Sequence, residues 1–131
     1  MFEEEKELSL TRVLVGIFKS FEETKEQPKV PELKTRYYKK SRDRLMETVK
    51  TVIERKMTNW ELKKIDTDRG EIVLSKGSSL MIITVYKMAG MQSAIDVYCS
   101  KEGALGDFGS SYKYIQQFFK ALHTEIQPEK G

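Results

Sequence analysis

Apolar and polar residues alternate through the middle of the chain with the period of two that is typical of β-strands. Turns that contain glycine separate four such segments, which read WELKKI, EIVLS, LMIITVYKM and SAIDVYCS. One side of the third segment carries Leu80, Ile82, Thr84 and Tyr86. In the fourth, the same alternation puts Cys99 on one face and Asp96 on the other. Because the connections are short, the pattern predicts a four-stranded antiparallel meander.

Two segments that flank the strands place apolar residues at helical spacing. Residues 41–57 carry such a face behind Ser41, a candidate N-cap, and YKYIQQFFKAL carries another behind Ser110 or Ser111. An antiparallel sheet commonly buries one face and exposes the other. We therefore expect an α+β fold in which both helices pack on one face of the meander.

The N-terminal segment carries a third apolar stripe at helical spacing, formed by Leu10, Val13, Leu14, Ile17, Phe18 and Phe21. This stripe predicts an amphipathic helix that docks on the domain or pairs with a second copy of the chain, as in a homo-oligomer. A membrane-surface helix is the alternative, but such helices favour lysine and arginine. The segment opens instead with glutamates, which anionic lipids repel, so we expect no membrane partner.

Pro28 and Pro31 follow this helix and favour extended backbone around them. They divide the sequence into an N-terminal amphipathic helix over 1–26, a linker over 27–34, an α+β domain over 35–126 and a polar tail over 127–131. The total of 131 residues fits one such domain.

Cysteine content and hydropathy favour a cytoplasmic protein. The chain has a single cysteine, Cys99, so no internal disulfide can form. Its apolar runs are far shorter than the roughly 20 residues of a membrane span. Its acidic N-terminus also differs from the basic start of a secretion signal.

Positive charge is concentrated in one stretch. Residues 34–56 hold nine basic and three acidic side chains, whereas residues 57–131 hold nine of each. At its start the basic side chains interleave with Tyr37 and Tyr38, an arrangement that suits phosphates and stacked bases. The candidate anion-binding residues are Lys34, Arg36, Lys39, Lys40, Arg42 and Arg44. Such a run is more often a solvated edge that pairs with nearby glutamates, and a nucleic-acid module is usually much more basic, so we do not expect a nucleic-acid partner.

A second candidate site is the glycine-rich loop before the last helix. Asp107-Phe108-Gly109 matches the magnesium-binding triplet of protein kinases, but the phosphate loop, the strand lysine and the catalytic aspartate that act with it are missing. The triplet is better explained as part of a helix start, where glycines and free backbone N–H groups suit anions. The residues of this candidate loop site are Gly106, Asp107, Gly109 and Ser110.

The sequence predicts no catalytic residue, no metal site and no cofactor. His123 is the only histidine and Cys99 the only cysteine, and no activating motif accompanies them. A metal site needs several such ligands. Five of the six methionines are expected in or near the core, where they fill it or, alternatively, line a cavity for an apolar small molecule between sheet and helices: Met46, Met57, Met81, Met88 and Met91.

Two stretches, PELKTRYYKKSRDRLMETVKTVIE and GDFGSSYKYIQQFFKAL, carry a family resemblance. Over residues 30–124 the chain resembles small cytosolic proteins of unknown function from Bacillus-type bacteria, and more distantly a broader bacterial domain of unknown function. That domain has a similar ending, a glycine-aspartate turn that runs into a final helix. The resemblance implies a cytoplasmic bacterial protein and implies no activity.

Three functional hypotheses follow. The first is a non-enzymatic binding or interaction domain that self-associates through its N-terminal helix. The second is a carrier or sensor of an apolar small molecule. The third is a polyanion or nucleic-acid binder that uses residues 34–44.

Overall fold

Six strands and two helices make up the part of the chain that the structure describes. The structure is a computed structural model, and it describes residues 21–26, 28, 31–101 and 109–129. The elements are β1 (Phe21–Glu23), β2 (Arg36–Tyr38), α1 (Arg42–Lys56), β3 (Glu61–Asp66), β4 (Glu71–Lys76), β5 (Ser79–Lys87), β6 (Ser93–Lys101) and α2 (Ser110–Leu122). All six strands belong to one antiparallel sheet, so the fold is α+β, as the sequence predicts.

The strands β3 to β6 form the meander that the periodicity predicts. β5 and β6 pair along their whole length, from Ser79 opposite Lys101 to Lys87 opposite Ser93. The turns on either side of β4 contain Gly70 and Gly77, with positive φ angles of 73° and 59°. Because glycine has no Cβ to oppose such angles, these turns can be short.

The sheet is wider than the predicted meander, because two short strands share the outer edge of β6. β1 pairs with residues 98–100 of β6, and β2 pairs with residues 93–95. Between β1 and β2, Lys25 forms a bridge with Lys34, and Pro31–Leu33 forms a 3-10 helix. The prediction of a four-stranded sheet is therefore wrong, and the sheet has six strands.

The predicted N-terminal helix falls mainly on residues 1–20, which lie outside the described residues. The prediction of a helix is wrong for the last part of this segment, because Phe21–Glu23 forms β1. Phe21 continues the apolar stripe at helical spacing, yet its backbone pairs with Ser100 of β6. Pairing with a strand that is distant in sequence overrides the local helical pattern at this point.

Helix α1 begins where the sequence places it, whereas α2 begins one or two residues earlier than predicted, and only α1 has a side-chain cap. Ser41 caps α1, and its Oγ accepts a hydrogen bond from the N–H of Arg44 at 3.3 Å. The N-cap of α2 is Gly109, whose φ of 80° is left-handed. The prediction that Ser110 or Ser111 caps this helix is wrong, because both serines already lie in its first turn. Neither described helix combines the length and apolar character that a membrane crossing requires.

Both helices pack on the sheet face that carries alternate residues of β5 and β6, such as Ile83 and Val97. The fully buried side chains between the layers include Leu45, Val49, Met81, Ile95, Cys99, Ile115, Phe118 and Leu122. Of the methionines expected in or near the core, Met46, Met57 and Met81 are buried, whereas Met91 is 67% exposed in the turn before β6.

Candidate ligand-binding groove

Arg36, one of the predicted anion-binding residues, is engaged within the fold. It lies on the helix side of β2, and its guanidinium stands 4.4 Å above the ring centre of Phe119. It also donates hydrogen bonds to the backbone oxygens of Lys34 and, at 2.9 Å, of Glu32. Burial lowers the pKa of Arg36. These contacts hold the guanidinium against α2.

The other residues of the predicted anion site lie in surroundings of mixed charge. Lys40 and Arg44 line a surface depression of about 350 Å³, and Asp43 and Glu47 line it with them. Carboxylates beside the cations weaken the attraction for a polyanion. Of the remaining members, Lys34 and Lys39 are exposed, and Arg42 is partly buried beside Gly70.

Half of the candidate loop site lies within the described residues. Gly109 and Ser110 form the start of α2, whereas Gly106 and Asp107 fall outside the described ranges. The Ser110 Oγ is buried and has no hydrogen-bond partner in the part of the chain that is described. Anion binding by this loop stays a prediction.

The single histidine belongs to a packed cluster between β2 and α2. His123 Nε2 and the Tyr38 hydroxyl form a hydrogen bond of 2.8 Å, and the imidazole also contacts the ring of Phe119. Burial and, to a smaller extent, the charge of Arg36 lower the pKa of His123. Burial raises the pKa of Tyr38. The cluster therefore favours two neutral rings, which suits a packing contact.

Cys99 is fully buried on the helix side of β6, so its thiol has no access to solvent. Across residues 21–26, 28, 31–101 and 109–129, no three histidine, cysteine, aspartate or glutamate side chains are grouped so that they could hold a metal ion.

A groove of about 420 Å³ lies on the opposite face of the sheet, beside β2. Its centre is a row of residues on three neighbouring strands. Tyr37 of β2 pairs with Ala94 of β6, and Ala94 pairs with Tyr86 of β5. Cross-strand partners point to the same face of a sheet, so two large aromatic residues flank a small one. We call the hollow defined by Tyr37, Tyr86, Ala94 and Asp96 the outer-face groove.

Asp96 lies two residues beyond Ala94 on the same side of β6, and its position is fixed by buried hydroxyls. Its Oδ1 accepts hydrogen bonds from the hydroxyls of Thr24 and Thr35, both at 2.6 Å. These threonines are 5% and 7% exposed. The Thr24 hydroxyl also accepts the N–H of Val97 at 2.8 Å. The carboxylate thus joins the end of β1 to the start of β2.

The second carboxylate oxygen of Asp96 is available to a ligand. Within the described structure, no lysine, arginine or histidine forms an ion pair with Asp96, and no group donates a hydrogen bond to its Oδ2. The neighbouring residue Tyr86 is 45% exposed. An unpaired carboxylate beside exposed aromatic rings is a recognised setting for binding a cation.

The charges around the outer-face groove also act on its tyrosines. Burial and then the negative charge of Asp96 raise the pKa of Tyr86. The main cause of the raised pKa of Tyr37 is its hydrogen bond to Glu26, and Asp96 contributes. Lys25 and Lys87 also line the groove, so residues of both charge signs surround it.

The sequence predicts part of this site. The alternation in β5 and β6 correctly puts Tyr86 on one side of its strand, and Ala94 and Asp96 together on one face of theirs. It does not predict that β2 pairs with β6, which brings Tyr37 to the same surface. A usable signal was present in Asp96, since an ionisable residue inside a strand of apolar residues calls for partners.

No known protein-family model matches the chain, and a search of curated proteins gives no match either. The resemblance to proteins of Bacillus-type bacteria stays a prediction. Function is therefore inferred from the geometry of the outer-face groove.

Proposed function

We propose that the protein is a non-enzymatic binding domain and that its ligand site is the outer-face groove. The observation that carries this proposal is the unpaired Oδ2 of Asp96 beside the row formed by Tyr37, Ala94 and Tyr86. A structural role accounts for Oδ1, which joins two threonines, but it accounts neither for Oδ2 nor for the exposure of Tyr86.

The dimensions of the groove suit a small molecule or one side chain of a partner. Its volume of about 420 Å³ falls in the range of roughly 300–1,000 Å³ that is typical of ligand sites. Tyr37 and Tyr86 stand two strand spacings apart, so about 10 Å separates their Cα atoms. Because both are carried by paired strands, little ordering is needed when a ligand binds.

The chemistry of the described side chains supports binding without catalysis. The raised pKa values of Tyr37 and Tyr86 keep both hydroxyls protonated near neutral pH, so neither is a ready base. His123 and Cys99, the residues best suited to proton transfer and nucleophilic attack, lie on the helix side of the sheet.

The other two functional hypotheses receive less support. A carrier of an apolar molecule needs space between sheet and helices, but twenty core side chains there are at most 6% exposed. A polyanion binder needs a continuous basic surface, but Arg36 packs on Phe119 and carboxylates accompany Lys40 and Arg44.

We further propose that the protein acts in the cytoplasm and self-associates through an amphipathic helix within residues 1–20. The single cysteine and the resemblance to cytosolic proteins support the location. The apolar stripe from Leu10 to Phe21 supports self-association, since a stripe of this size is normally covered.

The proposed ligand site is tested by nuclear magnetic resonance. The full chain, labelled with nitrogen-15, is titrated with a mixture of small cations, anions, zwitterions and neutral aromatic compounds. We expect the largest chemical-shift changes at the amides of Tyr86, Ala94 and Asp96, because these residues share the groove.

A matched pair of variants tests whether the chemical-shift changes arise from binding in the groove. Tyr86→Ala removes a groove wall and should weaken it, whereas Leu62→Ala removes a side chain of similar exposure, 43%, from β3 at the far edge of the sheet. Equal effects of the two variants, or shifts confined to the helix side, would contradict the proposal.

A further inference from the structure

We propose that the outer-face groove recognises a guanidinium group, carried either by an arginine side chain of a partner or by a small guanidino compound. Asp96 is the anion that accepts its hydrogen bonds, and Tyr37 and Tyr86 are the surfaces on which it stacks. This inference rests on the proposed function, because it requires that the groove is the ligand site.

The carboxylate of Asp96 is preorganised to accept hydrogen bonds from a cation. Two buried threonine hydroxyls hold Oδ1 at 2.6 Å, so the orientation of the whole group is set before a ligand arrives. Oδ2 remains for the N–H groups of the ligand, and hydrogen bonds between two charged partners are roughly twice as strong as neutral ones. Since Asp96 forms no ion pair within the described part of the chain, no internal cation must be displaced first.

The two tyrosines select a flat cation over a compact one. A guanidinium is planar and weakly hydrated, and it stacks on aromatic faces, whereas an ammonium is a strongly hydrated point charge. Tyr86 is 45% exposed and makes no ring contact in the described structure, so a flat group can stack on its open face.

The charged residues around the groove separate the two sources of the guanidinium. Lys25 and Lys87 line the groove and oppose a ligand that carries only positive charge. They suit the carboxylate of free arginine. An arginine within a peptide has no such carboxylate, so its binding depends on Asp96 and the tyrosines alone.

The test compares four probes by isothermal titration calorimetry and nuclear magnetic resonance on the full chain. N-acetyl-argininamide represents a peptide arginine, and free L-arginine represents the small compound. N-acetyl-citrullinamide has the same shape without the charge, and N-acetyl-lysinamide has the charge without the plane. We expect both arginine probes to shift the groove amides and N-acetyl-argininamide to bind at least tenfold more tightly than the citrulline and lysine probes. Tighter binding of free arginine than of the capped form assigns the site to a small compound, and the reverse order assigns it to a peptide arginine.

Two variants test the assigned roles. Asp96→Asn keeps Oδ1 as an acceptor for both threonines and removes the charge, so we expect the fold to persist and arginine binding to weaken at least tenfold. Tyr86→Leu keeps apolar bulk and removes the ring, and a loss of about two- to fivefold is expected for a partly exposed cation–π contact. Tyr86 is 45% exposed, so this variant tests the proposal even where Asp96→Asn unfolds the chain.

The outcomes also separate this inference from the proposed function. Equal binding of the arginine and citrulline probes, equal binding of the arginine and lysine probes, or unchanged binding by Asp96→Asn overturns the guanidinium inference while the groove remains the ligand site. Failure of all four probes to shift the groove amides also overturns it. Absence of any groove response to the broad ligand mixture overturns the proposed function as well.

Discussion

Gly70 shows how a residue without a side chain fixes the packing of the β3–β4 turn on β5. Its φ is 73°, it is buried, and its carbonyl oxygen accepts the N–H of Val85 at 2.8 Å. A Cβ at this position would lie 2.3 Å from the carbonyl oxygen of Val85, far inside van der Waals contact. Any other residue therefore forces the turn and β5 apart.

Gly70→Ala is expected to lower the free energy of unfolding by more than about 2 kcal/mol. Left-handed backbone costs a residue with a Cβ roughly 1–2 kcal/mol, and weakening the hydrogen bond to Val85 adds about 1 kcal/mol. Gly77→Ala is the matched control, because Gly77 also has positive φ, 59°, but a Cβ there meets nothing within 4 Å. Urea denaturation of both variants measures the difference, and similar losses would show that the close approach to Val85 is unimportant.

Among the elements, length decides how well the sequence predicts each one. α1 has 15 residues and β5 and β6 have nine each, so their periods repeat often enough to be recognised. β1 and β2 have three residues each, which is too short for a period, and they exist because they pair with β6. The place of Tyr37 in the outer-face groove depends on this pairing. For that reason the sequence predicts the side to which Asp96 points but not its threonine partners.

The contact between β2 and α2 depends on the protonation state of His123. Tyr38 on β2 and His123 at the end of α2 share a hydrogen bond, and Arg36 of the same strand packs on Phe119. A second proton on His123 would put a charge into a half-buried site that already faces the guanidinium of Arg36. The two elements are therefore held together best when the imidazole is neutral.

We expect the free energy of unfolding to decrease as the pH falls from 7.5 to 5.5. The folded pKa of His123 lies below its usual value of about 6.5, so the unfolded chain takes up the proton more readily. The contribution of His123 is complete above about pH 6.5 and is lost as the pH falls through the folded pKa. Urea denaturation at several pH values measures this slope.

His123→Gln is the control for this measurement, because glutamine keeps hydrogen-bonding capacity for Tyr38 but does not titrate. The slope above pH 5.5 should flatten in this variant. The same slope in both proteins would mean that other groups cause the pH dependence.

In the molecule as a whole, the sheet includes residues that the sequence assigns to segments outside the domain. β1 and Thr24 lie within the predicted N-terminal segment, yet they are tied to β6 and Asp96. Near the other end, Glu129 in the predicted polar tail donates its N–H to the carbonyl oxygen of Tyr37 at 2.7 Å. A truncation that preserves the sheet must therefore start no later than Phe21.

Removal of residues 1–20 should convert a self-associating protein to a monomer, because it takes away most of the apolar stripe and leaves β1 intact. Light scattering coupled to size-exclusion chromatography measures the mass of the full and shortened chains. Val13→Asp with Ile17→Asp in the full chain is the control, since it disrupts the stripe without changing the length. An identical oligomeric state in all three proteins would count against self-association through this segment.

The segment between β1 and β2 is a suitable place for a fluorescent reporter of ligand binding. Its ends are already joined, since the N–H of Lys25 donates to Leu33 at 2.9 Å and that of Thr35 donates to Lys25 at 3.0 Å. The entropy of loop closure grows slowly with length, so residues inserted between 27 and 30 should leave the strands in place. Lys25 and Glu26 line the outer-face groove. A fluorescent protein inserted after Glu26 would follow directly on a lining residue of the groove, so binding of the proposed ligand should change its signal.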